Sequence, residues 1–258
     1  MRFKYEMMDK ENRYGTLAVQ QRLLQLLRAF DKICLEHDIK YSVSSGTMLG
    51  AIRHQGFIPW DDDVDITIER KYYDGLMEAI KRSALLVCER DLWLDRIRFK
   101  EDTMKNGHQS CPTIDVFTWD YVPDNKLKER IKYYCIAFLQ GMIKGRPDYA
   151  RFSWPNRVLS FVTYMAGRLF PLSMKLRVYD RIALWGNGSE TVYQAGYHDQ
   201  FNALRFRYPF HLLDAVERHR FEDIEVNVMV RYDEYLKIIY GEDYMTPPQE
   251  NDRKPTHT

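Results

Sequence analysis

The stretch GFIPWDDDVDIT, Gly56 to Thr67, sets Asp61, Asp62, Asp63 and Asp65 within five positions of a chain whose formal net charge is only +1. Like charges at this spacing repel, and apolar neighbours that bury them raise the cost of keeping them ionised. A bound cation removes that repulsion. From Asp63 to Glu69 the sequence alternates Val64, Ile66 and Ile68 with Asp63, Asp65 and Thr67, the period of a strand with unlike faces, so Asp63 and Asp65 share a face. Two carboxylates one residue apart on a strand face offer hard oxygen ligands suited to Mg²⁺, or to Mn²⁺.

A third carboxylate on a neighbouring strand would complete such a site. Asp115 in TIDVFTW is the only later acid flanked on both sides by strand-like apolar residues. Asp63, Asp65 and Asp115 are therefore the expected metal ligands. Mg²⁺ is usually held by a few carboxylates together with substrate phosphates, so the set points to phosphoryl chemistry on a nucleotide-containing donor. A Ca²⁺ EF-hand is excluded, because neither the glycine at the sixth loop position nor the terminal glutamate is present. A merely solvated acidic loop would not need the DVDI alternation.

The elements that must position these acids are legible in the hydrophobic pattern. Leu23, Leu26, Leu27, Phe30 and Cys34 form one apolar face of a helix between Thr16 and His37. YSVSSG then predicts a short strand ending in small residues, TMLGAIRH a short helix, and Tyr72 to Lys81 another. ALLVCER, WLDRIRFK and TIDVFTW predict strands, and the chain turns helical from Pro123 most of the way to Trp185. Near the end Tyr232, Tyr235, Leu236, Ile239 and Tyr240 share a helix face before the extension TPPQENDRKPTHT. The expected organisation is a catalytic core over 1–124, a basic, aromatic-rich helical lobe over 125–190, and a segment over 191–258 that packs back on the core as part of one integrated domain.

The 258 residues, 45% hydrophobic and 29% charged, describe a globular protein and exclude a mainly disordered one. Cys34, Cys88, Cys111 and Cys135 have no C-x-x-C spacing, which argues against a zinc site and against a secreted disulfide framework. The N-terminus lacks the apolar run of a signal peptide, so a cytoplasmic location is expected. Between Lys132 and Trp185 nine basic residues face only two acidic ones, Asp148 and Asp180, and aromatic residues interleave with them. Two readings stay open there: a helical lobe with a solvated basic rim, and a surface that touches an anionic membrane at the inner face of the cell. No nucleic-acid motif accompanies the charge. Only ten uncharged residues separate Arg157 from Arg168, against about 20 needed to span a bilayer, so no transmembrane helix is expected.

The continuous stretch SGTMLGAIRHQGFIPWDDDVDITI, Ser45 to Ile68, resembles the signature of the LicD family, which includes bacterial phosphocholine transferases and the fukutin group of ribitol-phosphate transferases. IDVFTWDYVPD and FEDIEVNVMVRYDEYLKIIYGEDYMTPPQ extend the resemblance over most of the chain. It departs at Asn227 and Val230, where relatives often carry prolines. The resemblance implies an α+β, nucleotidyltransferase-type fold, a small mixed sheet flanked by helices, here with an added helical lobe. It also implies transfer of a phospho-alcohol, with phosphocholine from CDP-choline foremost, to a sugar hydroxyl of a glycan or glycolipid precursor of the teichoic acid, capsule or lipopolysaccharide type, releasing CMP. Alternatives are a nucleotidyltransferase acting on a small sugar or antibiotic, and a non-catalytic membrane-associated adaptor.

On that resemblance, Gly46 and Thr47 form the family's G-[ST] turn, and the amides from Ser45 to Thr47 are a candidate phosphate cradle at a helix start. Asp115 or Asp62 would accept the proton of the attacking hydroxyl. Arg53 is a candidate phosphate clamp or a salt-bridge partner of the aspartates; His54 would contact donor or acceptor, or simply pack. Trp60 would stack on cytosine or meet a choline-type cation, or anchor its loop. Lys100 is a further phosphate candidate, and Arg253 and His257 would fold over the active site.

Overall fold

In the computed structural model, residues 12–102, 111–145, 154–186 and 191–255 are described, with Pro155 and Asn156 by backbone alone. The fold is α+β, and its residues separate into two compact units, one formed by Met1–Glu89, Asp95–Thr118 and His211–Thr258, the other by Arg90–Leu94 and Trp119–Phe210.

The first unit is built on strands β1 (Ser42–Val43), β2 (Val64–Glu69), β3 (Leu86–Asp91), β4 (Leu94–Phe99) and β5 (Ile114–Tyr121), ordered β1-β2-β5-β4-β3. Consequently the strand after the acid run and the strand carrying Asp115 are neighbours. β1 pairs antiparallel with β2, Val43 opposite Ile66, and β4 pairs antiparallel with β5, Arg96 opposite Asp115. Helices α1 (Leu17–Glu36), α2 (Ser45–Arg53) and α3 (Arg70–Arg82) belong to this unit. The apolar stripe of α1, Leu23, Leu26, Leu27 and Phe30, is fully buried, as its three- and four-residue spacing requires.

The tail returns to the same unit as a hairpin that the sequence pattern did not reveal. β6 (Tyr193–Ala195), which pairs with the end of β5 and with β7 (Tyr208–Pro209), falls in the second unit, whereas β8 (Val216–Phe221) and β9 (Ile224–Met229) form a separate two-stranded sheet, followed by α7 (Tyr232–Tyr240). In β8, the polar run Glu217, Arg218, His219 and Arg220 hides the strand signal. Arg218 forks onto both carboxylate oxygens of Asp31 on α1, at 2.6 and 2.8 Å, and the Met229 amide donates to Ser42 Oγ at 2.9 Å.

The second unit contains α4 (Lys126–Ile143), α5 (Trp154–Arg168) and α6 (Leu172–Ala183), and its own core of Val122, Ile136, Leu139, Ile143, Tyr179 and Tyr197. Two cations counted in the basic stretch are not on any rim. Lys132 is fully buried, its ammonium donating to the carbonyls of Tyr121 and Trp185 at 2.8 Å and lying 4.0 Å from the Tyr197 ring centre. Lys175 ties together the carbonyls of Met142 and Gly167, both at 3.0 Å. Arg146, Asp148 and Arg151 lie outside the described residues.

Candidate functional site

The acid run leaves α2 through a loop and re-enters the sheet as β2, so the start of α2 and the start of β2 must meet. They are joined directly: the Asp65 amide donates to Thr47 Oγ1 at 2.9 Å, and the Ser44 amide donates to the Asp65 carbonyl at 3.0 Å. Ser45 turns the chain from β1 into α2 with φ +46°, a left-handed conformation that costs a non-glycine residue energy. Its amide is held by Tyr235 Oη of α7 at 3.1 Å.

Gly46 explains why the turn needs a residue without a side chain. A Cβ there would stand 2.7 Å from Asp61 Oδ2. Asp61, which strand alternation alone leaves on the loop side, thus reaches the first turn of α2, where the helix dipole favours negative charge. Burial pushes its carboxyl well above the usual carboxylate range, Asp63 and Asp62 push it further, and Arg53 opposes them. Among the described residues Asp61 Oδ2 is buried with no hydrogen-bond partner. The loop is fixed from α1: Gln20, fully buried, donates to the carbonyls of Ile58 at 3.0 Å and Asp61 at 2.8 Å, and Thr16 Oγ1 donates to Pro59 O at 2.7 Å.

Asp65, Asp61 and Asp63 all act on Tyr240 at the end of α7: the residue is 43% exposed as a whole, but its phenol is withdrawn from solvent, and that loss of solvation, then Tyr235 and these carboxylates, hold it well above the ordinary value. Asp115 is raised by burial, lowered by the Arg96 guanidinium and raised again by Asp63. Arg96 Nε donates to Asp115 Oδ1 at 3.1 Å, as does Thr113 Oγ1 at 3.1 Å. Asp62 is buried beside this group. Among the described residues no three His, Cys, Asp or Glu side chains already close into a metal-holding cluster. The donor chemistry nevertheless fits a hard divalent cation: the carboxyls of Asp61 and Asp115 are both held above the ordinary value with Asp63 among the causes, and among the described residues the buried Asp61 Oδ2 has no hydrogen-bond partner.

The remaining expected residues separate into two sets. Arg53 is buried, with Nη1 on the Tyr244 carbonyl at 3.1 Å and Nε on His54 Nδ1 at 3.4 Å. Burial, Arg53 and Arg253 bring His54 down to about 3, so it is a neutral imidazole at neutral pH. His54 meets Trp60 edge to face with ring centres 6.4 Å apart, and the Arg253 guanidinium lies 5.1 Å from the Trp60 ring centre. Lys100 is not brought to the acids by any contact among the described residues: its ammonium donates to the Ser83 carbonyl at 2.7 Å, beyond the end of α3. His257 lies outside the described residues.

Sequence reasoning missed the supports supplied from far along the chain. Glu222, in the two-residue turn of the β8–β9 hairpin, accepts the Phe57 amide at 3.0 Å and gives its own amide to the Gln55 carbonyl at 2.7 Å. A Cβ on Gly56 would stand 2.0 Å from Glu222 Oε1. The glycine preceding the acid run was the available signal, because a residue without Cβ marks a close approach of another part of the chain.

Residues 38–139 match the model of the LicD/FKTN/FKRP nucleotidyltransferase domain. Over that stretch the chain is similar to the LicD family. The lipopolysaccharide cholinephosphotransferase LicD of Haemophilus influenzae is 27% identical to this chain over 94% of it and 96% of that relative. Uncharacterized proteins of Rickettsia typhi and Rickettsia prowazekii are each 52% identical over shorter stretches, 43% and 18% of this chain, covering 38% and 17% of those relatives. The LicD match takes in Ser45 to Thr47, the aspartate run and Asp115; Gln20, Glu222, Tyr235, Tyr240 and Arg253 lie outside it.

Proposed function

We propose that this protein transfers a phospho-alcohol, phosphocholine foremost, from a CDP-linked donor to a sugar hydroxyl of a cell-surface glycan precursor, with release of CMP. The observation that carries the proposal is the meeting of Asp61, Asp63 and Asp65 with the first turn of α2, tied by Thr47. That junction offers both halves of a diphosphate site, oxygen ligands for a cation and a helix N-terminus for an anion. The choice of phosphocholine and of a lipopolysaccharide-type acceptor is supported by similarity to the Haemophilus influenzae cholinephosphotransferase along nearly its whole length.

In this reading Asp63, Asp65 and Asp115 would hold Mg²⁺ or Mn²⁺, which when bound neutralises charge on the donor's diphosphate. The first turn of α2 orients phosphate oxygens, and Arg53 adds a fixed positive charge behind them. The sugar hydroxyl oxygen forms a bond to the phosphorus that carries choline, and the bond from that phosphorus to CMP breaks. Asp62 or Asp115 takes the hydroxyl proton. The face of Trp60 is suited to the quaternary ammonium, as aromatic rings are. Attachment to the inner face of the cell membrane belongs to the same proposal, because a glycolipid acceptor is held there.

The test is CMP release from CDP-choline with Mg²⁺ and a lipopolysaccharide acceptor. Wild-type protein should liberate CMP, and Asp63→Ala should lower the rate by about a hundredfold or more. Pyrophosphate release from a nucleoside triphosphate would favour a nucleotidyltransferase instead, and full biological activity of Asp63→Ala would favour an adaptor.

A further inference from the structure

The packing of α5 is inverted. A helix of a globular protein normally turns its large apolar residues inward, but here the inward face is small. A Cβ on Gly141 of α4 would stand 2.7 Å from Thr163 Oγ1, and one on Gly167 of α5 would stand 2.2 Å from the Met142 carbonyl oxygen. Thr163 and Gly167 thus bring α5 close to the backbone of α4, the small-residue contact that helices use when apolar burial is not what joins them.

The large residues lie on the other side. Trp154, Val158, Phe161, Val162, Met165 and Leu169 recur at helical spacing and are between 47% and 77% exposed. So continuous an apolar stripe marks an interaction surface. Between Trp154 and Arg168 the sequence has no acidic residue, and Arg157 and Arg168 are both exposed on the same helix. With 15 residues α5 is about 22 Å long, short of the hydrocarbon thickness of a bilayer. No helix among the described residues is long and apolar enough to cross a membrane.

We infer that the outward face of α5 is an in-plane membrane anchor, which seats its apolar stripe in the acyl boundary of an anionic bilayer and lays Arg157 and Arg168 among the headgroup phosphates. The charge decides the occupant. Arginines flanking a stripe free of carboxylates complement an anionic lipid surface, whereas in a second copy of this chain the same arginines would meet each other. The inference names the surface for the membrane attachment proposed above and rests on that reading, while flotation tests it apart from CMP release.

The test is flotation of the full-length protein with vesicles of equal parts phosphatidylglycerol and phosphatidylcholine, beside vesicles of phosphatidylcholine alone. Wild-type protein should float with the anionic vesicles, and less with the neutral ones. Phe161→Ser combined with Met165→Ser should weaken binding about tenfold or more, while circular dichroism and melting temperature stay near wild type because both side chains are exposed. Arg157→Gln with Arg168→Gln should weaken binding to anionic vesicles and remove the difference between the two compositions. Failure of the wild type to float, unchanged binding by the serine pair, or a stable dimer in light scattering that the serine pair dissolves would each overturn the inference.

Discussion

At the scale of single residues, the site is held by groups whose ionisation is set by burial. His54 is the most explicit. Its imidazole is held at about 3 in the folded chain, against an ordinary value of 6.5, so the unfolded chain binds more protons between those limits. Stability should therefore fall as pH drops from 6.5 toward 3. Thermal melts of His54→Gln across that range should show a shallower decline than wild type. Thr47 supplies a test of a different kind. Thr47→Val leaves the Asp65 amide without its acceptor and should cost about 1–2 kcal/mol in denaturant unfolding along with activity, whereas Thr47→Ser keeps the oxygen and should retain both. Alternation predicted that Asp63 and Asp65 act together. It could not predict that Asp61 reaches the first turn of α2, since that depends on the loop path fixed by Gln20 and Thr16 from another helix.

Among elements, those with a strong internal period were legible. The spacing in α1, the alternation in β2 and the apolar run interrupted by Asp115 in β5 place these elements within a few residues of where they lie. The β8–β9 hairpin was not, because its first strand carries Glu217, Arg218, His219 and Arg220 and draws its burial from one face only. Yet this hairpin supports the acid loop. Glu222 occupies the first position of its two-residue turn with φ +56°, where a side-chain-bearing residue is strained, and its bonds to Gln55 and Phe57 offset that strain. Glu222→Ala should keep the strain, lose the Phe57 contact and destabilise by about 1–3 kcal/mol, read from chemical denaturation. Glu222→Gln, which preserves an oxygen acceptor, should lose less.

For the whole molecule, the prediction is a linkage between ligand and stability. If the acids hold a cation and a diphosphate, Mg²⁺ with CDP-choline at about 100-fold over its dissociation constant stabilises the chain by about 2.7 kcal/mol. Melting curves should rise with both present and rise little with choline alone; Asp65→Asn should abolish the joint shift. The LicD match ends at residue 139, while Gln20, Glu222 and Tyr235 hold the turn and the loop from outside it. The boundary drawn by kinship and the boundary drawn by folding are thus different lines. A graft of residues 38–139 into another scaffold would transplant the aspartates without the mould that shapes them, and the unit of inheritance for this chemistry in this chain is nearly the full length.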